Sequence, residues 1–140
     1  MAVQTMPAAR AKAAAARSRY VTDAVETVSP AKLVTMLYDA LVRDLQLAED
    51  QLRGARDLHV VNSRLVHAQA IVLELRAGLD PTKWSGGPGL MQLYVFVTDE
   101  LLKANVEKDA DRIRSVRHLV EPLRDAWHEA ASSLGGVVPR

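Results

Sequence analysis

Residues 109–136 read DADRIRSVRHLVEPLRDAWHEAASSLGG, and the spacing of their apolar side chains decides the fold. Ile113, Val116, Val120, Leu123, Trp127, Ala130 and Leu134 recur at steps of three and four. At about 100° per residue that spacing puts all seven on one side of an α-helix. Asp109 is placed to cap this helix, Asp111 lies in the first turn where a carboxylate suits the helix dipole, and Gly135-Gly136 closes it. The pattern predicts a helix over 110–134, with Trp127 as a core anchor. Asp111, Arg112, Arg114, Arg117, Arg124 and Asp125 interleave in sign, as a solvated outer face does.

Upstream, three more segments of the same kind are marked out by sparse punctuation. Ser29-Pro30 reads as an N-cap followed by proline in the first turn, where its missing N–H is not needed, and Gly54 ends the run. The first helix is predicted over 30–53, with Leu37, Leu41, Leu45, Ala48 and Leu52 on one side and Val34 and Tyr38 at its margins. Asp57 caps a second helix over 58–77, whose seam is Val61, Leu65, Ala68, Val72, Leu75 and Leu79. Gly78 is expected to supply a left-handed end there, and Asp80-Pro81 forbids continuation. After a loop from Pro81 to Gly89, a third helix is predicted over 89–106 with Leu90, Leu93, Tyr94, Val97, Leu101 and Ala104 facing the core. Four helices, short connections and no β-type alternation predict an all-α fold, an antiparallel up-and-down four-helix bundle with a mobile N-terminal segment.

The chain of 140 residues fits one domain. Residues 1–19 read as a basic, alanine-rich tail expected to be disordered, 20–134 as the bundle, and 135–140 as a flexible C-terminus. The tail carries Arg10, Lys12, Arg17 and Arg19 and no acid. Residues 21–140 therefore hold 14 basic and 17 acidic side chains, net −3, although the whole chain is +1. Nothing in that balance calls for nucleic acid or an anionic membrane. The stretch Ala8–Arg19 also has the composition of an organellar transit peptide. No window approaches a membrane-spanning length of apolar residues, and the N-terminus has no secretory signal core; the chain reads as soluble.

Catalytic chemistry finds little support. Zero cysteines remove a disulfide scaffold, thiolate metal sites and a thiol nucleophile. A di-iron bundle needs Glu-x-x-His on two helices, and the nearest match is a single Asp125-x-x-His128. His59, His67 and His118 lie off the core seams with no relay partner and read as solvated surface histidines. Ser85–Gly89 lacks the Lys-Ser/Thr of a phosphate loop and follows no strand. No catalytic residue, metal or cofactor is expected.

Apolar residues in excess of one core face are the informative feature. Val66, Ala70, Leu73 and Ala77 form a second row on the second helix, about 140° from its seam. Met91, Val95, Leu102 and Val106 form another on the third, about 120° from its own. Such rows either widen the core faces of corner helices or form grooves for an amphipathic partner segment. Tyr20–Val28, with Tyr20, Val21, Val25 and Val28 apolar, is a candidate cover within the same chain, and the tail would then be a gate.

Ser29-Pro30-x-Lys32-Leu33 followed by Met36-Leu37-Tyr38-Asp39, then Leu90-x-x-Leu93-Tyr94, Leu101-x-x-Ala104-Asn105 and Leu123-x-x-Ala126-Trp127 resembles the flagellar secretion chaperone family FliS. The resemblance covers about 20–134, and Tyr20 matches that family's N-terminal tyrosine. Ala40 stands where the family usually has glycine, and Trp84-Ser-Gly-Gly-Pro88-Gly where it tends to have an acidic, helix-starting stretch. The resemblance implies a cytoplasmic, non-enzymatic chaperone that holds the disordered C-terminal segment of flagellin, prevents premature polymerisation and delivers it to an export-gate component of the flagellar type III apparatus. Tyr20 would belong to the segment covering the groove. Val66, Ala70, Leu73, Ala77, Met91, Val95 and Leu102 are groove candidates from periodicity. A monomer or weak homodimer is expected, without nucleic acid or membrane insertion. The rival readings are a self-associating helical adaptor and a metal-holding bundle.

Overall fold

The computed structural model describes residues 30–137, and side chains through residue 133. Four helices follow one another: α1 Pro30–Arg53, α2 Leu58–Ala77, α3 Gly87–Glu107 and α4 Ala110–Val137. Each packs on two neighbours, α1 on α2 and α4, and α3 on α2 and α4, so the chain closes an up-and-down ring. The expected tail, the Tyr20–Val28 cover and the Ser29 cap lie outside the described residues, as do residues 138–140 of the expected C-terminus.

The helix starts follow the expected side-chain chemistry. Asp57 Oδ1 accepts the N–H groups of His59 and Val60 at 3.1 and 3.3 Å. Asp109 Oδ1 accepts those of Asp111 and Arg112 at 3.0 and 3.1 Å. Each carboxylate satisfies donors that the first turn leaves without partners.

The glycine-based ends depart from expectation. Gly78 keeps a right-handed φ of −84°. Its N–H donates to the Glu74 carbonyl at 3.1 Å, so no left-handed residue is needed there. Positive φ belongs instead to Arg56 at 56° and Lys108 at 54°, which turn the chain into α2 and α4. Helix α3 begins two residues early, with Pro88 in its first turn. Helix α4 runs through Gly135-Gly136 and also through Pro122, so neither closes it. Gly87 is required by close approach, because a Cβ there would lie 2.6 Å from the Pro81 carbonyl oxygen.

The core is the four seams brought together: Leu41, Leu45, Ala48, Val61, Leu65, Ala68, Val72, Val97, Leu101, Ala104, Ile113, Val116 and Val120 are all buried. Two expectations need correction. Tyr38 is not marginal but fully enclosed, while Leu37 is half-buried. The α4 seam fades toward its end: Leu123 and Trp127 are half-buried and Ala130 is exposed.

Helix α1 also carries two buried carboxylates. Asp44 accepts from Arg64 Nη1 of α2 at 3.1 Å and pairs with Nδ1 of His67. On the other side Glu49 accepts from Arg117 Nη2 of α4 at 2.9 Å and from Arg53 Nε at 3.1 Å. Arg117 reaches on to Glu121, and Arg53 to Asp111. Thus His67 is an interhelical partner rather than a merely solvated histidine. His128 is another, with Nε2 at 2.7 Å from Asp39 Oδ1. Arg117 and Arg112 likewise leave the solvated face expected of them, Arg112 binding Glu100 of α3 at 3.0 Å.

Burial alone pushes the Glu49 carboxyl up, but hydrogen bonds and charge from Arg117 and Arg53 outweigh it and hold the group below its ordinary 4.5. A lowered folded-state pKa gives stability that is present above the unfolded value and lost as pH falls through the folded one. The expected result is that Glu49→Gln flattens the fall in melting temperature below about pH 4.5, relative to the wild type. Thermal unfolding followed by circular dichroism at a series of acidic pH values reads it directly.

Candidate partner-binding site

The second apolar rows are at the surface. Leu73 is 54% exposed and Val95 47%, and Val66, Leu102 and Val106 are similarly open. Ala70 and Ala77 are exposed and Met91 is half-buried. The rows are therefore not widened core faces. Tyr20 lies outside the described residues.

The two rows lie side by side because α2 and α3 are antiparallel neighbours. Asn105 Nδ2 donates to Asn62 Oδ1 at 2.8 Å, which fixes their register. With the same rise per residue in both helices, Val66 comes level with Leu102, Leu73 with Val95, and Ala77 with Met91. Matched apolar side chains at three successive levels make a shallow stripe, small-walled where Ala70 and Ala77 stand. Such a stripe accepts an amphipathic segment laid along it.

At the end of the bundle that holds the start of α1, the stripe meets a pocket of about 450 Å³. Its walls include Leu33, Val34 and Leu37 of α1, Leu75 and Ala77 of α2, Leu79, Leu90 and Tyr94 toward α3, and Trp127 of α4, with Glu74 among them. Sequence reasoning missed this pocket. Its only signal is the apolar first turn of α1 and the half of α4 where the seam runs out, both of which the helices leave incompletely covered.

Two phenols from different helices meet at that wall, Tyr94 within it and Tyr38 behind it. The Tyr38 and Tyr94 hydroxyl oxygens are 2.7 Å apart, and the Tyr38 ring packs on Trp127 with centroids 6.5 Å apart and planes tilted 33°. Burial lifts both phenols above the ordinary value of 10.0, so both are neutral at physiological pH.

Among the described residues no cluster of histidine and acidic groups could hold a metal, and no helix is long and apolar enough to cross a membrane. Phe96 and Leu119 are further exposed apolar side chains that belong to neither row.

Comparison with known proteins agrees with this architecture. Residues 12–134 match the family model described as flagellar protein FliS. The chain is similar to the flagellar secretion chaperone FliS of Bacillus subtilis strain 168, 30% identical over 115 residues that cover 81% of this chain and 84% of that one. It is similar also to the flagellar secretion chaperone FliS of Salmonella typhimurium, 34% identical over 117 residues, covering 78% and 82%. A solved structure described as a flagellar chaperone from bacteria superposes with a TM-score of 0.67 at 20% identity, covering 84% of this chain and 96% of its own.

Proposed function

This chain belongs to the FliS family of flagellar secretion chaperones, and from that membership we propose that it holds the disordered C-terminal segment of flagellin along the α2–α3 stripe. The family's role is that of a flagellar export chaperone and not of an enzyme. The finer reading is that the complex stays in the cytoplasm, keeps flagellin from polymerising and is delivered to an export-gate component. One observation carries it: two exposed apolar rows, in matched register, on adjacent helices whose core faces are already satisfied. Exposed apolar surface of this extent marks an interaction site.

The physics is coupled folding and binding. A client segment that is disordered when free loses several kcal/mol on ordering, which keeps its release feasible even when on the order of 1,000–3,000 Å² is buried. In the same reading Tyr20 and the residues after it cover part of the stripe while no client is bound.

Calorimetric titration of the protein with a peptide of the flagellin C-terminal segment from the same organism tests this. One-to-one binding with a clearly negative heat-capacity change is the expected result. No binding, together with concentration-dependent dimers in sedimentation, would assign the stripe to self-association instead.

A further inference from the structure

We infer that the Tyr94 hydroxyl is the polar reading element of the end pocket and donates a hydrogen bond to a main-chain carbonyl of the client segment that enters it. This rests on the client-binding reading above and names how one part of that site recognises its occupant.

Two neutral phenols bring two O–H donors to one short oxygen–oxygen contact, which uses only one of them. Among the described residues the side chains that hydrogen-bond the Tyr38 hydroxyl are Tyr94 and Trp127, of which the Trp127 indole N–H can only donate, and Tyr38 is 0% exposed. Were Tyr94 to donate to Tyr38, the Tyr38 proton would be sealed in the core without an acceptor, an arrangement that costs free energy with no return. Tyr38 therefore donates, and the remaining proton belongs to Tyr94. Of the two phenols only Tyr94, 5% exposed, lines the pocket, so the spare donor belongs to the residue that faces that space.

Two further observations identify the occupant. Ala77 belongs both to the exposed α2 row and to the pocket wall, so a segment lying on the stripe runs on into the pocket. Glu74, exposed in the pocket lining, has no cation paired with it among the described residues. Its carboxylate disfavours an acidic group or a chain-terminal carboxylate and leaves a neutral amide oxygen as the matching acceptor. A client segment with apolar side chains for the walls carries such oxygens wherever its backbone is not fully paired.

The test compares Tyr94→Phe with Tyr38→Phe in calorimetric titrations with the flagellin C-terminal peptide. Loss of the Tyr94 hydroxyl is expected to weaken binding about three- to tenfold, whereas Tyr38→Phe leaves the Tyr94 donor in place and binds within about twofold of wild type. Because Tyr94→Phe strands the Tyr38 proton, Tyr38→Phe with Tyr94→Phe is measured against Tyr38→Phe alone. The same loss is expected there with nothing orphaned in the core. Equal effects from both single variants would mean that the pair only props the bundle, and overturn the inference. So would an unchanged affinity for Tyr94→Phe. A gain in affinity would overturn it by showing that a segment of this chain fills the pocket and the client displaces it. A change confined to self-association would do so by assigning the pocket to a second copy. If the wild type binds the peptide and Tyr94→Phe binds equally well, the chaperone reading stands and this inference alone fails; if the wild type does not bind, both fall.

Discussion

Leu73→Asp combined with Val95→Asp is expected to weaken binding of the flagellin C-terminal segment by at least a hundredfold, which is abolition in most assays. The two residues face each other across the stripe, so each new carboxylate would have to be buried under the client beside the other. Burying even one ionised carboxylate without a partner costs several kcal/mol, and two of like sign at one level cost more. Stability should hardly change. Both side chains already stand about half in water, and exposed substitutions of this sort stay within about 0.5 kcal/mol each, including the lower helix propensity of aspartate. Titration calorimetry for affinity and thermal unfolding for stability separate the two effects. A large fall in melting temperature would place Leu73 and Val95 in the core and remove the stripe as a site.

The largest expected effect on stability comes from Arg117→Ala. Its half-buried guanidinium meets the buried Glu49 at 2.9 Å and spans α4 and α1. Removing it leaves Glu49 enclosed with Arg53 alone, and breaking a buried pair from one side costs about 3 kcal/mol. For a bundle of this size that is roughly a 10 °C drop in melting temperature. Glu49→Met together with Arg117→Met takes out both charges and is expected to recover most of the loss, because the penalty lies in the stranded ion rather than in the absent pair. A double variant no better than Arg117→Ala would mean that packing by the arginine stem, not charge, is what was lost.

How far these features were legible in the sequence depends on how many helices each one involves. The bounds of α1 and α2 follow from single residues, Pro30 at one start and Asp57 at the other, and the observed helices match them. The seams need one helix each, and Leu45, Leu65, Leu101 and Ile113 are buried as their spacing requires. That second apolar rows exist also needs one helix each, since Val66 and Leu73 sit far round α2 from Val61 and Leu65, but whether they are open or widen the core faces depends on how neighbouring helices pack. Features that depend on two helices were not legible. Whether Asp44 meets His67 is set by how α1 and α2 are rotated against each other, and periodicity within one helix is silent on that. The end pocket needs all four. Its shape follows from where α1 begins, where α2 stops and how far α4 has diverged by Trp127. The missed helix end at Gly135-Gly136 has a different origin: glycine weakens a helix by about 1 kcal/mol per residue, but it forbids nothing, and a helix already 25 residues long by Leu134 can absorb that.

The two carboxylates of α1 also determine which alignment of the helices is allowed. The apolar seam of α1 is nearly self-similar, with leucines at 37, 41, 45 and 52, so sliding the helix by one turn would still lay leucine against the core. The charges are not self-similar. The same slide would carry Asp44 away from Arg64 and His67 on one side and Glu49 away from Arg117 on the other, stranding acids and bases together. Leucines thus make the four helices adhere, while Asp44 and Glu49 act as index marks that admit one registry and penalise its neighbours. Holding α1 at that mark also fixes where Leu33, Val34 and Leu37 stand at the bundle's end, and with them the wall that α1 gives the pocket.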